Sequence, residues 1–316
     1  MSRQLAAYRV GAAIAHALPT AWAAGTGQAV GALMGSLPDY DGKRAVAASH
    51  MARAYGRPLG RSESRRMVAQ VFANYGRYWA ESLRLPYRSD ADIVAGVQVT
   101  GWELLERALA AGTGAIVAAP HLGGWEWGAR YLIAQGIGVT VAVEPLEPPD
   151  VFAWFAEFRR RLGMEVVAVG PHATATILQA LKAGRVVCLL SDRLVGDVSG
   201  AEVKFFGAGA LLPAGPVTLA LRSGAPLLSA AIYFGRAADA HELVFRPPLT
   251  LPETGRFRDR VQAGTELLAG ELEALISRAP TQWHILQPNG PDDPPLRTAR
   301  QWAGRAGGVL APARGA

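Results

Sequence analysis

The fold is decided by residues 116–126, IVAAPHLGGWE, an apolar run that ends abruptly in a histidine, two glycines and a carboxylate. Short apolar runs of this kind are typical of buried strands in a parallel sheet. Open α/β sheets carry their binding and catalytic residues at the carboxyl ends of such strands. We therefore predict that His121 lies at that edge as a catalytic base, with Glu126 near enough to be its partner.

Strand-like and helix-like segments alternate along most of the chain. Strands are predicted over residues 94–100, 115–119, 138–143, 165–169, 186–190, 227–233 and 241–245. Helices are predicted over residues 63–85, 102–111, 125–135, 151–162, 174–183, 213–221 and 257–277. This alternation predicts an α/β fold with a largely parallel central sheet and helices on both of its faces.

The N-terminal region is unusually apolar. Arg9, Pro19 and several glycines interrupt its two apolar stretches, so no clean segment of about 20 apolar residues could span a membrane. Two interpretations remain open: helices lying in a membrane interface, which we favour, or helices that pack in the core. We expect residues 1–40 to form N-terminal membrane-associating helices, residues 41–288 the α/β domain, and residues 289–316 a loosely ordered tail.

The charge balance narrows the class of partner. The net charge is +6, and Lys43, Lys182 and Lys204 are the only lysines, so arginine supplies nearly all the positive charge. Arginine pairs bidentately with phosphate, which favours an anionic lipid head group or a phosphorylated substrate; biased codon usage would explain the composition equally well. The chain has no recognition-helix motif and no long basic tract, so a nucleic-acid partner is not expected.

The spacing of His121 and Glu126 restricts how they can meet. On one continuous helix, residues five apart point about 140° away from each other. They can meet only if His121 precedes the helix and Glu126 lies in its first turn, a bend that Gly123 and Gly124 allow. A carboxylate bonded to one imidazole nitrogen raises the basicity of the other nitrogen, which can then take a proton from an alcohol.

Other catalytic chemistries lack their residues. No Gly-x-Ser-x-Gly elbow is present for a serine nucleophile, and no glycine-rich loop matches a dinucleotide or P-loop motif. The six histidines show no paired ligand spacing and the single cysteine, Cys188, has no companion, so no metal is expected. The remaining chemistry is direct attack of a substrate hydroxyl on an activated acyl group.

A second polar block follows another predicted strand. Asp192 and Arg193 come directly after the run at residues 186–190, so they also belong at a carboxyl end of the sheet. Downstream lies GAEVKFFG, residues 200–207, where charged residues flank an aromatic pair. This segment is either a slot for an apolar chain beside a polar head group or a surface hairpin followed by a helix.

Six motifs stand in order along the chain: NYGRYWAE (74–81), His121-x4-Glu126, Arg159 to Gly163, Asp192-Arg193, VKFFG (203–207) and QWHILQP (282–288). Taken together, they resemble the bacterial lipid A (late) acyltransferase family, within the wider group of glycerolipid acyltransferases that carry a His-x4-Asp/Glu motif. The resemblance extends from about residue 70 to residue 288. Glu126, the Asp-Arg pair and Glu202 are most similar to the actinobacterial branch, the phosphatidylinositol mannoside acyltransferases.

The resemblance implies a glycerolipid acyltransferase-like fold and a specific reaction. A long acyl chain would move from acyl-CoA, with palmitoyl-CoA as the expected donor, to a mannose hydroxyl of a phosphatidylinositol mannoside. The protein would bind an anionic membrane surface at the cytoplasmic face of the plasma membrane, as a peripheral or monotopic protein, without a bound cofactor. The alternatives are lipid A-type or lysophospholipid O-acylation, or a non-catalytic protein that binds lipid at the membrane surface.

The resemblance also implies roles for individual residues. His121 would be the base, and either Glu126, the motif acid, or Glu202 would orient it. Arg159 would bind a phosphate or the polar head group. The polar end of the acceptor site would be formed by Asp192 and Arg193, and the oxyanion would be stabilised by backbone N–H groups near Gly123 and Gly124.

Overall fold

Nine short strands form two sheets in the computed structural model, which describes residues 2–145, 147–195 and 199–296. The strands are β1 (Val97–Thr100), β2 (Ala115–Ala119), β3 (Val139–Val143), β4 (Glu165–Ala168), β5 (Val186–Leu190), β6 (Gly200–Phe205), β7 (Ala208–Pro213), β8 (Leu227–Phe234) and β9 (His241–Phe245). Strands β6 and β7 form a separate antiparallel hairpin. The seven others form one sheet in the order β1-β9-β8-β2-β5-β3-β4, in which β8–β9 is the antiparallel pair and the other pairs are parallel.

Helices connect these strands and precede them. They are α1 (Arg3–Ala17), α2 (Thr20–Ser36), α3 (Asp41–Ala54), α4 (Arg61–Ser82), α5 (Asp90–Ala95), α6 (Trp102–Ala110), α7 (Trp125–Ala134), α8 (Pro149–Arg161), α9 (Ala173–Lys182), α10 (Gly215–Ser223) and α11 (Phe257–Arg278). Short 3₁₀ turns lie at Pro38–Tyr40, Leu85–Tyr87 and Pro280–Gln282.

The sheet separates two hydrophobic cores. Along β2, Ile116 and Ala118 face a core completed by α3, α4, α9, α10 and α11, whereas Ala115 and Val117 face a core completed by α6, α7 and α8. Successive strand residues point to opposite faces, so an unbroken apolar run fills both cores at once. The predicted architecture, a largely parallel sheet with helices on both faces, is therefore confirmed.

The structure refines the local predictions at three places. The predicted strand over 94–100 is shorter, because Ser89 and Asp92 form a capping box that starts α5 and only Val97–Thr100 joins the sheet. Of the two interpretations for residues 200–207, the hairpin is the one observed, since β6 and β7 pair and α10 follows. Helix α3, which the apolar pattern did not predict, packs against the core through Ala47 and Met51.

The N-terminal helices have one packed face and one exposed face. Helix α2 lies against α4 through small residues; a Cβ on Gly31 would lie 2.2 Å from the Phe72 carbonyl oxygen, so only glycine permits this approach. Trp22 and Leu33, on the other side of α2, are exposed. Within the described parts of the chain, no helix combines the length and apolarity needed to cross a bilayer.

The C-terminal segment is more ordered than its composition suggests. Asn289 and Asp293, which we expected in a loosely ordered tail, are buried. Asp293 accepts a hydrogen bond from the side chain of Arg53 at 2.6 Å, a partner that the local sequence does not reveal. The rest of the predicted tail, residues 297–316, lies outside the described residues.

Candidate active site

The sheet register brings His121 and Asp192 together. Strands β2 and β5 are parallel neighbours with Ala119 opposite Leu190, and each of the two polar residues lies two positions beyond its strand. His121 Nδ1 lies 2.6 Å from Asp192 Oδ1, and the His121 backbone N–H donates to Asp192 Oδ2 at 2.8 Å. Both contacts follow from the pairing of these two strands.

Charge and burial define the state of this pair. The Asp192 side chain is 0 % exposed and that of His121 is 19 % exposed. Burial opposes ionisation of Asp192, but its electrostatic interaction with the His121 ring and the surrounding hydrogen bonds outweigh burial, and the pKa of Asp192 is lowered. An ionised Asp192 accepts the proton on Nδ1, and no described residue hydrogen-bonds His121 Nε2. The lone pair of Nε2 is then available to a substrate.

The loop after His121 is clamped from both sides. Gly123 has φ of +59°, and a Cβ there would lie 1.8 Å from the Ile232 carbonyl oxygen, so the position requires glycine. The Gly123 N–H donates to the Gln282 carbonyl at 2.9 Å, and the His284 N–H donates to the His121 carbonyl at 2.8 Å. The bend that was predicted here is present and is held by backbone hydrogen bonds.

This clamp changes which N–H groups can stabilise an oxyanion. The Gly123 N–H is already bonded, so its expected oxyanion role does not fit this geometry. No described residue accepts a hydrogen bond from the N–H groups of Trp125 or Glu126, in the first turn of α7. The N-terminal turn of a helix leaves such donors free and favours negative charge.

Glu126 contacts Arg159 and not His121. Glu126 Oε1 accepts hydrogen bonds from Arg159 Nη2 at 2.6 Å and Nε at 3.1 Å, and Tyr78 Oη lies 3.4 Å away. Burial pushes the pKa of Arg159 down, but the Glu126 charge outweighs burial and the pKa is raised. The expectation that Glu126 orients His121 is corrected: the histidine partner is Asp192, and Arg159 is paired with a carboxylate.

Glu202 and Arg193, the other two polar residues predicted for the site, make no hydrogen bond to His121 in the described chain. The Glu202 side chain is exposed on β6, where its backbone carbonyl accepts from Gln262 Nε2 at 2.6 Å. Arg193 donates to Glu144 Oε2 at 3.3 Å, and both side chains are partly exposed. Asp192, expected to shape the acceptor site, is instead buried behind the histidine.

An apolar cavity of about 90 Å³ opens beside this loop. Strands β2, β3, β5, β8 and β9 form one wall, and α7 forms the other through Gly128, Ala129 and Leu132. Glu126 and Arg159 supply the charged part of its lining, and Trp125 lies there with its ring 5.4 Å from that of His121. A polar edge and an apolar chamber therefore meet at the Glu126–Arg159 pair.

A second histidine supports the loop from its buried side. His284 is buried, surrounded by the rings of Tyr75, Tyr78 and Trp125, and its Nε2 lies 3.3 Å from the Gly123 carbonyl oxygen. Burial lowers the pKa of His284 to about 3. The sequence analysis assigned no role to this residue, because nothing in the motif at residues 282–288 indicates that it contacts the loop after His121.

No group of three or more histidine, cysteine or acidic side chains in the described ranges is arranged to hold a metal ion. Cys188 lines the apolar cavity, and burial raises the pKa of its thiol to about 12. Its neutral thiol thus forms part of the apolar wall.

Comparisons with known proteins agree with the motifs. Residues 4–289 match the model of the bacterial lipid A biosynthesis acyltransferase family. A phosphatidylinositol mannoside acyltransferase of Mycobacterium tuberculosis is 32% identical over 244 residues, 76% of this chain and 74% of that protein. A protein of the same name from Mycolicibacterium smegmatis is 32% identical over 242 residues, 76% of this chain and 77% of that one.

Among solved structures, a 1-acyl-sn-glycerophosphate acyltransferase from Thermotoga maritima covers 72% of this chain and 88% of its own, at 17% identity and a TM-score of 0.34. This likeness is too low to support any conclusion about the site.

Because His284 resists protonation when folded, it makes stability depend on pH. Below the ordinary histidine value of about 6.5, the unfolded chain gains a proton that the folded chain excludes until about pH 3. Folding free energy is then lost as the pH falls, by about 1.4 kcal/mol per pH unit. Between pH 6.5 and 4.5, we expect the free energy of unfolding of His284→Gln to fall by about 2 kcal/mol less than that of the wild type. Urea unfolding at both pH values measures this difference.

The matched control is His172→Gln, which replaces an exposed histidine. This variant should follow the wild-type pH dependence. Equal slopes for His284→Gln and the wild type would contradict the burial argument.

Proposed function

Because the chain belongs to the bacterial lipid A biosynthesis acyltransferase family, we propose that it transfers a long-chain acyl group from acyl-CoA to a mannose hydroxyl of a phosphatidylinositol mannoside. The acceptor follows from the names of its mycobacterial relatives. One observation supports the chemistry above the others: His121 is bonded to a buried carboxylate through Nδ1 while no described residue bonds its Nε2.

In this proposal His121 is the general base. Nε2 takes the proton of the acceptor hydroxyl as its oxygen attacks the thioester carbonyl carbon. The carbonyl electrons move to oxygen and return as the carbon–sulfur bond breaks, which releases the CoA thiolate and leaves the acyl group on the acceptor oxygen. His121 then returns the proton to the thiolate. Asp192 stabilises the transient imidazolium, as the acid of a catalytic triad does.

The first turn of α7 would stabilise the oxyanion. The N–H groups of Trp125 and Glu126 are free of partners among the described residues and lie within five residues of His121. Donors that are fixed before the reaction cost no reorganisation when negative charge develops.

The apolar cavity would hold part of the acyl chain. Its lining is apolar apart from the Glu126–Arg159 pair, and Pro120 and Leu122, on either side of His121, form part of it. An acyl chain placed there leaves its thioester at the polar edge of the sheet. The buried ion pair then separates the chain from the head-group side, where Arg193 and Glu144 are partly exposed for polar acceptor groups.

The N-terminal helices would attach the protein to an anionic membrane surface. Seven large apolar side chains are exposed among the described residues 2–37, and the sequence of that stretch contains arginine but no acidic residue. Helix α1 lies beside the site, because Tyr8 packs against Trp79 of α4 and Phe155 of α8. An acyl-CoA donor would place this surface on the cytoplasmic face of the plasma membrane.

The acyl transfer itself is tested with radiolabelled palmitoyl-CoA and a panel of acceptors. We expect His121→Ala to lower kcat by roughly 10²-fold or more, and Asp192→Asn by roughly 10²-fold, because the first removes the base and the second its charged partner. Product analysis on mannosylated phosphoinositides, lysophospholipids and lipid A precursors identifies the acceptor.

Circular dichroism checks that both variants are folded. Full activity of folded His121→Ala would end the general-base proposal. Product on lysophospholipid alone would replace the mannoside acceptor, and lipid binding with no product in the wild type would indicate a binding protein.

Narrowing the cavity should change the preferred chain length. Gly128 lies on the cavity wall, where an added Cβ would meet Ile232 side-chain atoms only at 3.7 Å or beyond. Gly128→Val therefore fits but takes up space, and we expect kcat/KM to fall about tenfold or more for palmitoyl-CoA and less than about threefold for octanoyl-CoA. Gly270→Val, on an exposed position of α11 with open space around it, is the matched control. Equal losses for both donors would place the acyl chain elsewhere.

Membrane attachment is tested by replacing exposed apolar residues on α2. Trp22 is 69% and Leu33 66% exposed, and eleven residues apart they lie within about 20° on the helix. We expect Trp22→Ser combined with Leu33→Ser to weaken co-sedimentation with phosphatidylinositol-containing vesicles by about tenfold or more. The control Leu267→Ser removes a comparably exposed leucine from α11. Unchanged binding of the double variant would remove α2 from the attachment surface.

A further inference from the structure

A segment far along the chain contacts the carboxylate behind the base. We call residues 283–293 the C-terminal strap. Trp283 Nε1 donates to Asp192 Oδ2 at 2.7 Å, and Asn289 Nδ2 donates to the Asp192 carbonyl at 2.8 Å. Asp192 is therefore held through both its side chain and its backbone by residues about 90 positions later in the chain.

The strap is anchored to α3 by a buried carboxylate. The Asp293 side chain is 0 % exposed, and its Oδ2 accepts from the backbone N–H groups of Asn289 at 2.7 Å and Gly290 at 3.1 Å. Its Oδ1 accepts from Arg53 Nη2 at 2.6 Å, and His50 Nε2 lies 3.2 Å from Oδ2. These contacts close the end of the strap and attach it to the helix.

The indole of Trp283 is held from several sides. The His50 ring stacks on it with centroids 4.9 Å apart, and His50 Nδ1 also contacts the Ile285 carbonyl at 3.1 Å. Phe205 and Phe206 of the β6–β7 hairpin pack against it at 5.9 and 5.7 Å. Trp283 itself is 2% exposed, so its N–H has a single direction available, toward Asp192.

The buried carboxylate depends on this donor. Asp192 Oδ1 accepts from His121 Nδ1, while Oδ2 accepts from the His121 backbone and from Trp283. Because no solvent reaches Asp192, a donor lost from Oδ2 is not replaced by water. The side chain would then be held by the two His121 donors alone, and the direction in which Oδ1 meets His121 Nδ1 would change.

We propose that Trp283 is a positioning residue for the Asp192–His121 pair, fixed in place by the His50–Asp293 anchor. This inference rests on the proposed function of His121 as general base. Trp283 contacts the buried side of Asp192, so it acts through the carboxylate and not on the substrate.

The test is Trp283→Phe, which keeps an aromatic ring in the stack and removes the N–H. We expect kcat to fall by roughly 10- to 100-fold, with KM for acyl-CoA within about twofold, because a hydrogen bond to a charged group is lost away from the substrate. The far-downfield proton resonance of the His121–Asp192 bond, identified by its absence in His121→Ala, should shift or broaden in Trp283→Phe. A wild-type kcat together with an unchanged resonance would overturn the inference.

Trp102→Phe is the matched control, because Trp102 Nε1 donates to Glu106 at 2.8 Å on the protein surface. It should retain wild-type kcat and resonance. If Trp283→Phe does not fold, His50→Phe is tested instead, because it keeps a ring in the stack but loses the contacts to Ile285 and Asp293. A lower kcat with a shifted or broadened resonance in His50→Phe supports the inference, and wild-type values of both overturn it. Since the resonance is measured without substrate, it tests the strap even if His121→Ala proves active and the proposed function fails.

Discussion

The buried charge of Asp192 is the constraint on which the rest of the site depends. A carboxylate with no access to water stays ionised only if donors surround it, and these donors come from separate parts of the chain. The loop after β2 supplies two through His121, and the segment after α11 supplies one through Trp283. Sheet register, loop conformation and C-terminal path are thereby coupled to one side chain.

A second buried charge pair lies where the polar edge meets the apolar cavity. Glu126 and Arg159 are both largely buried, and removing either partner from such a pair leaves an uncompensated charge that costs about 3–5 kcal/mol. Their position on the cavity wall gives the pair a use beyond stability, because it supplies the charged part of an otherwise apolar lining. The acid of the His-x4-Glu spacing thus belongs to the wall, while the acid that serves the histidine comes from the neighbouring strand.

The sequence predicts the sheet and the edge, but not which strands are neighbours. The apolar runs before His121 and Asp192 place both residues at carboxyl ends, and both are found there. That β2 and β5 are adjacent follows from crossover connections, which leave no local signal, so the nearer Glu126 was the natural expectation for a partner. Asp293 shows the same limit: in a proline-rich stretch it resembles a solvated acid, because its partners His50 and Arg53 lie some 240 residues earlier.

The proposed membrane surface and the site share their supporting helices. Tyr8 of α1 packs against Trp79 of α4 and Phe155 of α8. The same two helices supply Tyr78 and Arg159, which surround Glu126 on the cavity wall. A lipid acceptor must present its head group to His121 while its own chains stay in the bilayer. If α1 and α2 lie on the bilayer, their direct packing on α4 and α8 keeps the distance between bilayer and base short and fixed, since no linker separates them. The N-terminal helices would then orient the site as well as attach it.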